Sequence, residues 1–247
     1  MLNRCEILAV LRALGVQPGM MLEVHASLRS LGPVEGGVDT VLDALMEAVG
    51  TEGALVMPAF RLSPNLALTE EDLRMGLTMK IKILPEDAER TAMGLVADTF
   101  LRRPDVVTGE GIFRVSAWGK DAAKHAAGFQ YLIDHGGHAL LMGADIYRLS
   151  AMHYVEDALP AEIRARFRPE PEALEKYPEG EWLVEAWTPE AKPWYRIQDA
   201  AYEKGLILDG RVGGAKCMFL PVKPVIELYR QALLSDPLGL YGLRKKI

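Results

Sequence analysis

Cysteine is scarce in this chain: Cys5 and Cys217 are the only two, and they stand near opposite ends. They form neither a CxxC pair nor a disulfide framework, which predicts a reducing compartment, the cytoplasm by default. Both read as small core residues. Long apolar runs are missing as well. The N-terminal stretch is apolar at helical spacing and carries Asn3, Arg4 and Glu6, so it reads as neither signal peptide nor membrane span. Basic charge is not in excess: 28 Lys plus Arg face 34 Asp plus Glu, a formal net charge of −6. Without a basic stripe, neither nucleic acid nor a membrane is the expected partner, and a cationic small molecule is easier to accommodate. His125, His135 and His138 are scattered without ligand spacing, so no metal is expected. The common cofactor and nucleophile signatures are absent too: no GxxxxGK[ST], no GxGxxG after a strand, no HExxH and no GxSxG.

What remains is the composition of an ordinary soluble globule, 247 residues with 49% hydrophobic and 25% charged side chains, read as a single domain over 1–247. Asn3 caps a helix with apolar positions Ile7, Leu8, Val10, Leu11 and Leu14, closed by Gly15. Met20–Val24, Gly53–Pro58, His138–Gly143 and Lys216–Leu220 read as buried strands. Helices are expected over Val38–Val49, Arg90–Leu101, Lys120–Ala127, Ala144–Leu159, Ile197–Leu206 and Pro224–Leu234. Val106–Trp118 reads as irregular or extended, and Phe60–Glu89 as a long excursion that supplies a lid or subsite. The fold class is α/β, a mainly parallel central sheet flanked by helices.

Charge is unevenly spread. Between Glu170 and Glu190 there are seven Glu and one Lys, so this window holds the whole chain's acidic excess. Its prolines, Gly180, Trp182 and Trp187 suggest turns and short strands, a smaller acidic excursion over about 160–195 rather than a charged helix. A solvated acidic face and a surface that concentrates a cationic substrate are both open readings.

His153 and Glu156 stand at i and i+3, on one helix face just after a buried strand, where the carboxyl edge of an α/β sheet offers a crevice. A carboxylate beside an imidazole fixes its orientation and tautomer, the usual arrangement for a general base. Spacing alone also allows a solvated surface pair.

Taken in order, the motifs resemble a known family. Val24-His25-Ala26-Ser27-Leu28-Arg29-Ser30-Leu31-Gly32 and Gly53–Pro58, then Thr91–Phe100, Leu140–Gly143, Met152–Glu156 and Gly210–Ala215, are similar in sequence and separation to segments of the aminoglycoside 3-N-acetyltransferases. The resemblance covers nearly the whole chain. It departs at Thr108–Ile112, where the family's Arg-Ser-x-His-Pro element would fall.

The resemblance implies an aminoglycoside 3-N-acetyltransferase-like α/β fold and transfer of acetyl from acetyl-CoA to the 3-amino group of an aminoglycoside. It implies His153 as general base with Glu156 as its partner. Contacts to acetyl-CoA are expected from His25, Ala26, Ser27, Leu28, Arg29, Ser30, Ser116, Val212 and Gly213. Contacts to the aminoglycoside are expected from Asp157, Phe60 and Glu170. No metal is implied, and the assembly is a monomer or a homodimer. Another amine as acceptor, or a catalytically impaired CoA-binding relative, are the alternatives.

Overall fold

The computed structural model describes residues 1–190 and 192–244. Its strands are β1 (Met21–Ala26), β2 (Ala54–Pro58), β3 (Met79–Lys82), β4 (Val107–Thr108), β5 (Val115–Gly119), β6 (His138–Met142), β7 (Trp182–Glu185), β8 (Leu208–Val212) and β9 (Ala215–Pro221). Seven form one sheet in the order β4-β5-β2-β1-β6-β9-β8. The three central strands pair in parallel, and β5 and β9 are the two that run against the rest, so five of the seven point the same way. The expected mainly parallel α/β sheet is therefore present.

Alternation along the central strands sends side chains into two separate cores. Leu22, Val24, Leu140 and Met142 pack under the helices Arg4–Ala13 and Gly37–Val49. Ala139, Leu141 and Val56 pack on the other face, under the segment 146–156 and the helices Pro193–Glu203 and Val222–Ser235. The chain leaving β1 thus goes to one face, while the chain leaving its neighbour β6 goes to the other. A sheet opens a crevice at such a switch point, beyond the carboxyl ends of the strands.

The two excursions meet. β3 comes from the first and β7 from the acidic one, and they pair antiparallel, with Met79 opposite Glu185 and Lys82 opposite Trp182. A small core of Met75, Leu77, Ala173 and Tyr177 lies beneath them. A buried triad pins it: Lys80 is paired with Asp72, and the Tyr177 hydroxyl donates to Asp72 Oδ1 at 2.5 Å. Burial alone would raise the Asp72 carboxyl, but Lys80, Tyr177 and Thr69 together hold it well below the usual carboxylate range.

Several elements differ from expectation. The helix expected over Arg90–Leu101 begins only at Leu95, because both carboxylate oxygens of Asp98 take donors from Thr91 and hold the preceding residues as a loop. Ala144–Leu159 is not one helix but two 3-10 turns, Ile146–Arg148 and Ser150–Met152, followed by one α-turn, His153–Glu156. Within the acidic window, Pro171–Lys176 is helical and only Trp182–Glu185 is a strand. Val106–Trp118 supplies β4 and β5, and β8 precedes the last strand. Cys217 is buried as expected, whereas Cys5 is exposed on the outer side of its helix. His125, one of the scattered histidines, is fully buried. Among the described residues no helix is long and apolar enough to cross a membrane.

Candidate active site

His153 opens the short α-turn, and Glu156 closes it one helical turn on. The pair is joined: His153 Nδ1 and Glu156 Oε2 are 2.6 Å apart. With an acceptor-only carboxylate at that distance, Nδ1 carries a proton, which leaves Nε2 as the nitrogen that can take or give one, on a side chain that is 57% exposed. Glu156 is held from its other side, where Trp194 Nε1 donates to Oε1 at 3.1 Å. The Trp194 ring also packs edge-on against the His153 ring, with centroids 4.8 Å apart. An almost fully buried indole thus fixes both members of the dyad.

Tyr147 extends the wall, its ring 5.5 Å from Trp194 and 6.0 Å from Tyr195. Tyr195 in turn donates its hydroxyl to Asp145 Oδ2 at 2.9 Å. A further carboxylate approaches from the acidic excursion: burial pushes Glu185 up to about 7, with the charge of Glu156 adding to the effect and His153 opposing it.

At the neighbouring strand end, β1 runs into the loop that begins at Ser27. Ser27 caps the turn Leu28–Leu31, accepting from the Ser30 amide at 3.3 Å and the Ser30 hydroxyl at 2.9 Å. The segment packs closely on two glycine turns. A Cβ on Gly143 would meet Ser30 Cβ at 2.4 Å, and one on Gly213 would meet the Leu31 carbonyl at 2.4 Å. Gly214 donates its amide to the same carbonyl at 3.0 Å. The Gly213-Gly214 turn thereby packs on Ser30 and Leu31, while Val212, expected to contact acetyl-CoA, is fully buried in the core; the backbone N–H groups of Leu28 and Arg29 have no acceptor among the described residues.

The remaining expected residues divide. Phe60 follows the end of β2 and packs edge-on against Phe113, with centroids 5.4 Å apart. Asp157 directly follows the dyad and is exposed. Ser116 is not brought to the loop: it is fully buried on β5, with β2 between it and β1, and its hydroxyl pairs with Thr108 Oγ1 at 2.8 Å. Glu170 makes no hydrogen bond or ion pair with the dyad among the described residues. It faces a surface hollow with Arg168, Pro169, Leu174 and Glu175. Three residues join the site that were not assigned to the dyad from sequence: Trp194, read mostly as packing, Glu185, read only as one of the acidic stretch, and Glu23. Glu23 alone carried a signal, a carboxylate inside the apolar run of β1.

A half-exposed histidine oriented by a carboxylate, at the carboxyl edge of an α/β sheet, is an arrangement that suits general-base chemistry. The comparison with known proteins narrows this reading. The family model for aminoglycoside 3-N-acetyltransferase matches residues 24–233, and the chain belongs to that family. It is 31% identical over 193 residues to aminoglycoside N(3)-acetyltransferase III of Serratia marcescens, a match that spans 65% of this chain and 66% of that enzyme. The crystal structure of aminoglycoside acetyltransferase AAC(3)-IIb superposes with a TM-score of 0.71 at 27% identity, covering 96% of this chain and 98% of that one. The fold also matches AAC-IIIb, solved as a binary complex with CoASH, with a TM-score of 0.68 at 18% identity over 98% of both chains.

Proposed function

We propose that this chain transfers an acetyl group from acetyl-CoA to the 3-amino group of an aminoglycoside, with His153 as general base. The observation that carries the reading is the His153–Glu156–Trp194 arrangement at the switch-point crevice, beside a loop with unpaired N–H groups. Acetyl-CoA supplies an activated thioester.

The residues of this chain then have distinct tasks. An aminoglycoside amine is largely protonated near neutral pH and cannot attack a carbonyl carbon until it loses a proton. His153 Nε2 takes that proton, and Glu156 stabilises the imidazolium while Trp194 keeps the carboxylate in line. The C–N bond forms as the C–S bond breaks; of the two protons that leave the ammonium nitrogen, one passes to the departing sulfur and the other to solvent, so that free thiol and acetamide are the products. General-base assistance of this kind contributes about 10² to 10⁴ in rate. The N–H groups of the 27–31 loop suit the oxygens of the donor, and the exposed Arg29 its phosphates. Glu185, Asp157 and Phe60 suit a polycationic sugar, and the net charge of −6 draws such a substrate in.

The test is a thiol-release assay with acetyl-CoA and a panel of aminoglycosides that includes apramycin and gentamicin, with the product identified by mass spectrometry and NMR. Aminoglycoside-dependent release and an acetylated 3-amine are expected. Binding of acetyl-CoA without release for any aminoglycoside would move the acceptor to another amine, and absence of both would refute the reading.

A further inference from the structure

Glu23 sits on the central strand β1 with no exposed surface, between Val56 of β2 and Ala139 of β6. The alternation of β1 calls for an apolar residue there, facing the core that holds Leu141, Val56 and Met152. A buried carboxylate costs free energy unless it is paired and fully hydrogen-bonded, and Glu23 Oε2 has no partner among the described residues. Such a departure from the local rule points to a role beyond stability.

Its other oxygen, Oε1, has two partners. One is His25 Nε2 at 2.8 Å, and the other is the backbone amide of Ala151 at 3.3 Å. Ala151 belongs to the 3-10 turn Ser150–Met152 that leads directly into His153. This contact helps explain why Ala144–Leu159 is not a continuous helix, since the Ala151 N–H finds its acceptor on β1. The amide of Ser150 also lies 3.4 Å from His25 Nε2, but the carboxylate is the closer neighbour, and an Nε2 that donates to it cannot accept from Ser150. His25 is therefore the Nε2–H tautomer, and its Nδ1, which makes no hydrogen bond within the described residues, is left as an acceptor at the mouth of the 27–31 loop.

We infer that Glu23 is a positioning residue for the transfer: one buried carboxylate sets the tautomer of His25 and anchors the turn that delivers His153. The inference rests on the reading of His153 as the base, and it joins the two strand ends of the crevice through a single side chain.

The experiment compares Glu23→Leu and Glu23→Gln with the wild type in the full chain. Nitrogen-15 NMR of the labelled histidine ring reads the tautomer of His25 directly and independently of turnover. The wild type is expected to show His25 protonated at Nε2, and Glu23→Leu to lose that preference. Thermal unfolding checks that Glu23→Leu stays folded: relief of the orphaned Oε2 is offset by the loss of the acceptor for the Ala151 amide and for His25, so a lower midpoint with a cooperative transition is expected. In the thiol-release assay kcat is expected to fall about tenfold or more in Glu23→Leu with the KM for acceptor little changed, and Glu23→Gln, which still accepts from Ala151 and His25, to recover part of it. A wild-type His25 protonated at Nδ1, or an Nε2–H preference that survives Glu23→Leu, overturns the proposal. So does a kcat in Glu23→Leu equal to wild type. If the tautomer responds as stated while no aminoglycoside is turned over by the wild type, the failure lies with the proposed acceptor and the tautomer assignment stands.

Discussion

Acidification should draw stability from this fold through one residue, His125. The imidazole has no exposed surface, and neither of its nitrogens finds a partner among the described residues. It packs edge-on against Tyr131 with centroids 4.9 Å apart. Burial pushes it down from 6.5 to about 4, with Asp121 opposing and His135 and Lys124 adding. Between those two values the unfolded chain takes up a proton that the native ring refuses, so protonation favours unfolding and stability falls with pH. At about 1.4 kcal/mol per pH unit the ceiling is about 3.4 kcal/mol, of which about 3 is lost by pH 4. That is a large share of a typical stability of about 5–15 kcal/mol.

The wild-type curve alone does not isolate this loss. Glu185, pushed up to about 7, binds its proton more tightly in the native state and gains stability over much of the same window as pH falls. Asp72, held low, releases its contribution only below the ordinary carboxylate range. The decisive quantity is the difference between wild type and His125→Leu in urea unfolding, measured at pH 7 and pH 4. Any constant cost of repacking cancels from that difference of differences. The wild type should lose about 3 kcal/mol more than the variant between the two pH values. An equal pH dependence in both proteins would refute the assignment of His125 as a buried, neutral ring.

Other outcomes follow from the same geometry. Trp194→Phe keeps an aromatic ring, though a smaller one, and removes the donor to Glu156, and thiol release should show kcat reduced by about tenfold with the fold intact. Because Glu185 titrates near 7, the KM for a cationic acceptor should fall as pH rises from 6 to 8, and Glu185→Gln should flatten that dependence. Lys80→Met strips the partner from the buried Asp72 and should cost about 3–5 kcal/mol in urea unfolding, with faster proteolysis between residues 60 and 90.

The central strands were legible because apolar runs such as Ala54–Pro58 and His138–Met142 are buried on both faces and read as continuous hydrophobic sequence. β4 is two residues long, and the outer-edge β8, Leu-Asp-Gly-Arg-Val, is mostly exposed, so neither carries such a signal. The pairing of β3 with β7 joins segments about a hundred residues apart, and local periodicity holds no record of it. The i, i+3 spacing left the dyad open to a solvated surface pair, and it was the resemblance of Met152–Glu156 to the family motif that picked it out. Its support was not legible, since Trp194 reaches Glu156 across 38 residues and Ala151 reaches Glu23 across 128. Of the acidic stretch, composition marked the whole, while the fold carries Glu185 to the dyad and leaves Glu170 at a separate surface hollow.

The central claim is that His153 is the base at this crevice, and the most direct measurement is thiol release from acetyl-CoA by wild type and His153→Ala side by side, with a thermal shift by acetyl-CoA recorded for both. The account predicts aminoglycoside-dependent release in the wild type, a loss of about 10² or more in kcat for His153→Ala, and an unchanged shift by acetyl-CoA. A His153→Ala protein as active as the wild type would contradict it.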